Sequence, residues 1–223
     1  MKTILSLSGG LDSTSLLAKL VDMGRKVHPV VFTYGSKHNY WENRAAEAIC
    51  AYYRLPWQLI DLSQVMALFK SNLLKTGGDI PEGHYNDTTM SKTVVPGRNL
   101  IFISILAGLA ESLEYDEVAL AIHAGDHHIY PDCRPTFFAM ANKAVEKSTD
   151  NKVKLYAPFL HITKKEILEI GLPLQTPYHL TRTCYKDQPK ACGKCGSCRE
   201  RLEAFDLVEA PDPVEYAEEI WKR

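Results

Sequence analysis

The chain has 223 residues, a formal net charge of -1, 45% hydrophobic and 24% charged content. That is the composition of a globular body with one large core, and it excludes a broadly basic surface for tracking nucleic-acid phosphates. No apolar run is long enough to cross a bilayer and the amino terminus has no secretory pattern, so the expected compartment is cytoplasmic, with no membrane or nucleic-acid partner.

In chain order, KTILSLS (2–8) reads as a short apolar strand. The polar turn SGGLDS follows, and then Leu16, Leu17, Leu20 and Val21 on one helical face, with Gly24 as the stop. VHPVVFT (27–33) is a second strand, NRAAEAICAYYR (43–54) a helix, WQLID (57–61) a third strand and SQVMALFK (63–70) another helix. Residues 75–97, rich in Gly, Pro, Asp and Thr, are too long for a connector and read as a functional or mobile loop of the kind that forms lids. NLIFISILAGLAESL (99–113) is a helix apolar on most sides, expected to be sandwiched in the core. EVALAIH (117–123) and KLYAP are strands, PTFFAMANKAVEK a helix with an early proline, and KKEILEIG (164–171) a helix with a glycine stop. Strand and helix alternate, which predicts an α/β protein with a mainly parallel sheet.

The turn at Ser8 to Thr14 carries chemistry. Glycines between a strand and a helix let backbone N–H groups converge on an anion, and the helix adds its amino-terminal partial charge. Ser8, Ser13 and Thr14 supply hydroxyls, Gly9, Gly10 and Leu11 the backbone, and Asp12 either caps the helix or holds Mg²⁺ against phosphates. Neither GxxxxGK[ST] nor GxGxxG is present. A purely structural turn capped by Asp12 is the alternative reading.

Cys184, Cys192, Cys195 and Cys198 crowd one segment, whereas Cys50 and Cys133 stand apart. Four thiolates close a tetrahedral Zn²⁺ shell with no position left for water, so the metal expected is structural zinc; an iron–sulfur cluster or unligated thiols are the rival readings. Cys133 beside Arg134 invites a nucleophile reading, but adjacency alone does not activate a thiol, and a pocket wall is preferred. His123, His127 and His128 are expected to serve in loop hydrogen bonding or proton transfer rather than in a second metal site.

SGGLDSTS, FTYGSKH (32–38), VVPGRN (94–99), YPDCRPTF (130–137), ITKKEI (162–167), LTRTCY and CGKCGSC together resemble the 7-cyano-7-deazaguanine synthases, within the PP-loop N-type ATP pyrophosphatase superfamily. The resemblance spans nearly the whole chain. Two departures stand out: Ser36 and Lys37 replace a usual glutamine and arginine, and Ala121 stands where a glycine is expected near the nucleotide.

The resemblance implies a doubly wound sheet with a C-terminal zinc knuckle, divided into residues 1–175 for ATP and 176–223 for the metal, packed on the same domain. It implies conversion of 7-carboxy-7-deazaguanine, ammonia and ATP to the nitrile through an acyl-adenylate and an amide, in a homodimer. Lys164 and Arg98 become candidates to stabilise phosphate or carboxylate charge alongside Asp12 and Ser13. Tyr130, Asp132, Arg134 and Phe137 become candidates to hold the deazaguanine. Two other functions stay open from sequence: transfer of the activated acid to a different nucleophile, and a zinc ribbon that binds nucleic acid.

Overall fold

The computed structural model describes residues 1–84 and 88–217. Five strands, β1 (Lys2–Ser6), β2 (Lys26–Thr33), β3 (Gln58–Asp61), β4 (Glu117–Ala119) and β5 (Lys154–Tyr156), form one sheet in the order β3-β2-β1-β4-β5, with every pair parallel. Successive side chains of a strand point to opposite faces, and this sheet is apolar on both. Ile4, Val30, Phe32 and Val118 enter one core; Leu5, Val31 and Ala119 enter the other.

The first core is covered by α4 (Arg98–Ser112) and α5 (Pro135–Ser148), the second by α1 (Leu11–Asp22), α2 (Asn39–Tyr53), α6 (Lys164–Gly171) and α7 (Gly196–Leu207). The expected α/β class and parallel sheet are what is found. Chain order reverses between β1 and β4, the place where doubly wound sheets open a crevice at the carboxyl ends of their strands.

Several boundaries differ from the sequence reading. The helix expected over 63–70 is one turn, α3 (Ser63–Met66); Met66 is its one fully buried residue, Phe69 packs on the first core beyond its end, and Leu68 is 81% exposed. Helix α2 starts at Asn39 rather than Asn43, since the Asn39 side chain accepts hydrogen bonds from the N–H groups of Tyr34 and Ser36 and fixes the preceding turn. Strand β4 ends at Ala119, but the Leu120 N–H still donates to the Tyr156 carbonyl, and residues 120–123 continue as cavity wall. Helix α4 is less enclosed than expected, with Leu100 49% exposed.

The described parts of the 75–97 segment are tied down rather than lid-like. Lys37 donates to the Gly78 carbonyl, Gly83 N–H to Lys194, and the Thr93 and Tyr130 hydroxyls lie 3.0 Å apart. Residues 85–87 of that expected loop lie outside the described residues.

Arg201 staples the carboxyl-terminal segment. It is 1% exposed, forms a two-pronged contact with Asp212 at 2.8 and 2.9 Å, and donates to the hydroxyls of Thr181 and Thr183. Removing one partner of a buried pair leaves an uncompensated charge, so Arg201→Met is expected to lower unfolding free energy by about 3 kcal/mol. The urea midpoint reads this, and an unchanged midpoint contradicts it.

Candidate active site

Five helices present their amino termini to one cavity at the carboxyl edge of the sheet. Leu11 of α1, His38 at the cap of α2, Arg98 of α4, Lys164 of α6 and Ser197 of α7 all line it. Each terminus contributes partial positive charge, so the cavity suits a polyanion. Ser8, Gly10, Asp12, Ser13, Tyr34, Asn99, Ala121, Tyr130, Cys133, Arg182 and Tyr185 complete much of the wall.

The polar turn forms one end. Gly9 has φ +78°, and a Cβ on it would lie 2.7 Å from the Glu42 carbonyl, so α2 packs where a side chain would stand. The Ser8 N–H donates to Ser13 Oγ at 3.2 Å, the Gly10 N–H to Ser8 Oγ at 3.2 Å, and the Arg182 N–H to the Gly9 carbonyl at 2.8 Å. Gly10, not Asp12, occupies the cap position of α1, and no side chain caps it. The Thr14 hydroxyl is spent on the Gly10 carbonyl at 2.7 Å, and Thr14 is fully buried.

Asp12 is thereby free for other work. Its Oδ2 lies 3.3 Å from the Lys164 ammonium and its buried Oδ1 has no partner among the described residues. An unpaired carboxylate oxygen beside a phosphate-sized turn is a fitting ligand for Mg²⁺.

Lys164 sits at the first position of α6, where the helix dipole disfavours a cation. Thr163 and Glu166 cap that helix reciprocally, leaving Lys164 to point inward at 6% exposure. Its ammonium meets Glu200 at 2.6 Å as well as Asp12. Burial works against the charge, but Asp12, Glu200 and Asp126 outweigh it and hold the pKa above that of an ordinary lysine. The pairing therefore stabilises the fold fully below about pH 10.4, the usual lysine value, and is lost only as pH rises through the higher folded value.

Near the same end, His123 Nδ1 accepts from the Gly125 N–H, while Nε2 faces Asp126, Asp12 and Glu200 at 3.6, 3.8 and 4.0 Å.

Aromatic hydroxyls and a second cation form the opposite end. Arg98 Nη1 reaches the Tyr34 hydroxyl at 3.5 Å, and the guanidinium lies 5.7 Å from the Tyr34 ring. Burial and then Glu42 push the Tyr34 pKa up to about 12, so Tyr34 is a neutral donor near pH 7. The Tyr130 and Tyr185 hydroxyls are 3.3 Å apart, and burial raises both phenols. Cys133 accepts from Asn99 Nδ2 at 3.1 Å; burial, then Asp126 and Asp132, keep its thiol protonated. A neutral thiol is a wall and a poor nucleophile.

Three of the residues expected on the substrate side do not line the cavity. Asp132 Oδ2 instead accepts from the Asn99 N–H at 2.9 Å at the start of α4, Arg134 Nε donates outward to the His127 carbonyl, and Phe137 packs on the first core.

The four knuckle cysteines are buried with all their sulfurs within 4.8 Å of one another, and Cys192 and Cys198 Sγ are 3.9 Å apart. Zinc bonded to sulfur at about 2.3 Å in a tetrahedron requires spacings of roughly this size, so the site fits structural zinc. The N–H groups of Lys186 and Cys192 point at Cys184 Sγ, and those of Lys194 and Cys195 at Cys192 Sγ, all at 3.3 to 3.4 Å. Among the described residues no other cluster of three or more metal-type ligands is found.

Sequence reasoning missed Glu200. It follows the cysteine run by two residues and carries no motif of its own. Tyr34, Asn99 and Arg182 lie inside motifs that sequence analysis singled out, yet nothing local marked them as cavity residues.

Residues 2–209 match the family described as "Queuosine biosynthesis protein QueC". The chain is 43% identical to the 7-cyano-7-deazaguanine synthase of Pseudoalteromonas atlantica, covering 96% of this chain and 98% of that one. It is 43% identical to that of Methanoregula boonei (97% and 99%) and 41% to that of Caldicellulosiruptor saccharolyticus (99% and 97%). Among solved structures, the U34-tRNA thiolase NcsA of Methanococcus maripaludis with its [4Fe-4S] cluster superposes with a TM-score of 0.53 at 16% identity, covering 94% of this chain and 65% of that one. An NMN synthetase of Francisella tularensis gives 0.50 at 14% identity, covering 94% and 77%. At such identities the two structures speak for the fold alone.

Proposed function

The chain belongs to the family of queuosine biosynthesis proteins QueC, the 7-cyano-7-deazaguanine synthases, and from that premise we propose how its residues divide the work. The protein is an ATP-dependent carbon–nitrogen ligase that converts 7-carboxy-7-deazaguanine and ammonia to 7-cyano-7-deazaguanine through an adenylated acid and an amide. Hydroxide and oxide leave carbon poorly, so the carboxyl oxygen must first be made part of a mixed anhydride with phosphate. The carboxylate attacks the α-phosphorus and pyrophosphate departs; ammonia then displaces AMP from the acyl carbon. A second activation, at the amide oxygen, lets that C–O bond break as the nitrogen loses its protons.

In our assignment the turn from Ser8 to Thr14 carries the phosphates, with the Leu11 backbone and the Ser8 and Ser13 hydroxyls as donors and Gly10 holding Ser8 in place. Asp12 would hold Mg²⁺, which when bound supplies positive charge against the phosphates. Lys164 stabilises charge at the same end, and Arg98 with the neutral Tyr34 takes the carboxylate at the other. Tyr130 provides a flat face for the deazaguanine, while Asp132 acts one step back by fixing Asn99. Arg134 and Phe137 support that wall from outside. Residues 1–175 carry the nucleotide chemistry and 176–223 the zinc, the last six of them lying outside the described residues.

The observation that carries this reading is the convergence of five helix amino termini, two of them bearing buried or half-buried cations, on one cavity. Catalysis of this kind is positioning and electrostatics. A homodimer in the cytoplasm completes the proposal; among the described residues no helix is long and apolar enough to cross a membrane.

Mass spectrometry of zinc-loaded protein with 7-carboxy-7-deazaguanine, MgATP and an ammonium salt tests it. The nitrile mass is expected, with Asp12→Ala slowing its formation about 100-fold. Pyrophosphate release without amide or nitrile from folded protein would mean that the activated acid meets a different nucleophile.

A further inference from the structure

We propose that Glu200 is a positioning residue for the adenylation step, holding the Lys164 ammonium at the phosphate end of the cavity from a helix that the cysteine knuckle anchors. The inference rests on the assignment of Lys164 to the phosphates.

A lysine ammonium rides on a flexible four-carbon stem and is ordered only by what it touches. Here Glu200 Oε2 lies 2.6 Å from Nζ and Asp12 Oδ2 lies 3.3 Å from it, the shorter contact being to Glu200. Without Glu200 the ammonium would be drawn onto Asp12, 3.3 Å away, and the charge meant for phosphate would be spent on the residue that sits in the phosphate turn. A second carboxylate on another element keeps Nζ between the two. Glu200 neither gives nor takes a proton in this role, and it does not touch the reacting atoms.

The surroundings are shaped for this contact. A Cβ at position 125 would lie 2.6 Å from Glu200 Oε1, so Gly125 leaves room for the carboxylate. Helix α7 starts with Cys195 at its cap and carries Cys198 in its first turn, so the sulfur cluster fixes both the start and the rotation of the helix that presents Glu200. Ser197, between those two ligands, lines the same cavity. The knuckle thus reaches the reaction through a side chain rather than through its metal.

The test is a double-mutant cycle in the zinc-loaded full chain: Glu200→Ala, Lys164→Ala and both together, with Glu200→Gln as the conservative variant. Acid-dependent pyrophosphate release gives kcat and the KM for ATP, and zinc content and thermal midpoint are measured on each protein. Glu200→Ala is expected to lower kcat about 100-fold with the KM for ATP changed less than about threefold, as for a misplaced catalytic group. In the Lys164→Ala background the same change is expected to cost less than about threefold, since there is no ammonium left to place. Glu200→Gln, which keeps an acceptor oxygen, recovers about tenfold of the loss.

A full 100-fold loss in the Lys164→Ala background overturns the proposal, as does a loss that follows zinc content and is as deep in Glu200→Gln. If Lys164→Ala is impaired and Glu200→Ala is not, this inference alone fails. If Lys164→Ala turns over normally, the assignment of Lys164 fails and takes the inference with it.

Discussion

Stripping the metal from the four cysteines is expected to abolish both amide and nitrile formation, although none of those sulfurs lines the cavity. The reason lies in what the knuckle holds. Thr183 and Tyr185 flank Cys184, Ser197 precedes Cys198, and all three of these neighbours are cavity residues. Arg182, whose backbone clamps Gly9, sends its side chain to the carbonyls of Lys186, Gln188 and Pro189 inside the knuckle loop.

Without a cation, four buried thiolates within 4.8 Å of one another cannot all stay ionised, and the loop loses its organising centre. For a small metal-built element the binding free energy is folding free energy, so a loss of about 5 kcal/mol and a drop of about 10–20 °C in thermal midpoint are expected. Cys198→Ser should behave alike. Turnover followed against zinc content during chelation checks this, and apo protein that keeps the wild-type rate would show the knuckle to be dispensable.

The fold was largely legible because its strands and helices are apolar at the right periods. Ile4 and Leu5, or Val30 and Val31, are adjacent residues that serve opposite cores, so a short continuous apolar run is what a strand covered on both faces requires. What failed locally failed for tertiary reasons: nothing in SQVMALFK announces that Leu68 finds no neighbour to bury it.

The site was legible where chemistry is concentrated in a short motif, as in SGGLDSTS and CGKCGSC. It was less so where the role belongs to a residue 36 positions away in sequence, as Glu200 is from Lys164. The lysine itself stood out only through the family resemblance, although a cation at a helix amino terminus also needs a reason. Asp132, expected at the substrate, accepts from the Asn99 N–H, and it is Asn99 that faces the cavity.

Gly9→Ala is expected to remove activity by about 10³-fold or more while leaving the sheet intact, because several phosphate donors are displaced at once. Two costs combine. A φ of +78° disfavours any residue with a Cβ by about 1–2 kcal/mol. The added methyl would also stand 2.7 Å from the Glu42 carbonyl and 2.8 Å from the Ala46 nitrogen, both main-chain atoms of a helix that packs on the second core and cannot recede.

The turn must move instead, carrying with it Ser8, Gly10 and Ser13. Gly10→Ala is the contrast. Its φ of -79° is ordinary, and the nearest atom to a new Cβ is the mobile Ser8 hydroxyl at 3.2 Å. Its stability should therefore fall by less than about 1 kcal/mol, against about 3 kcal/mol for Gly9→Ala. Urea midpoints and pyrophosphate release on the two variants separate the cases. Equal loss of stability would mean that the nucleotide turn is pliable and that α2 does not dictate the glycine. The ordering expected here makes Gly9 a residue required by helix packing first and by ATP second.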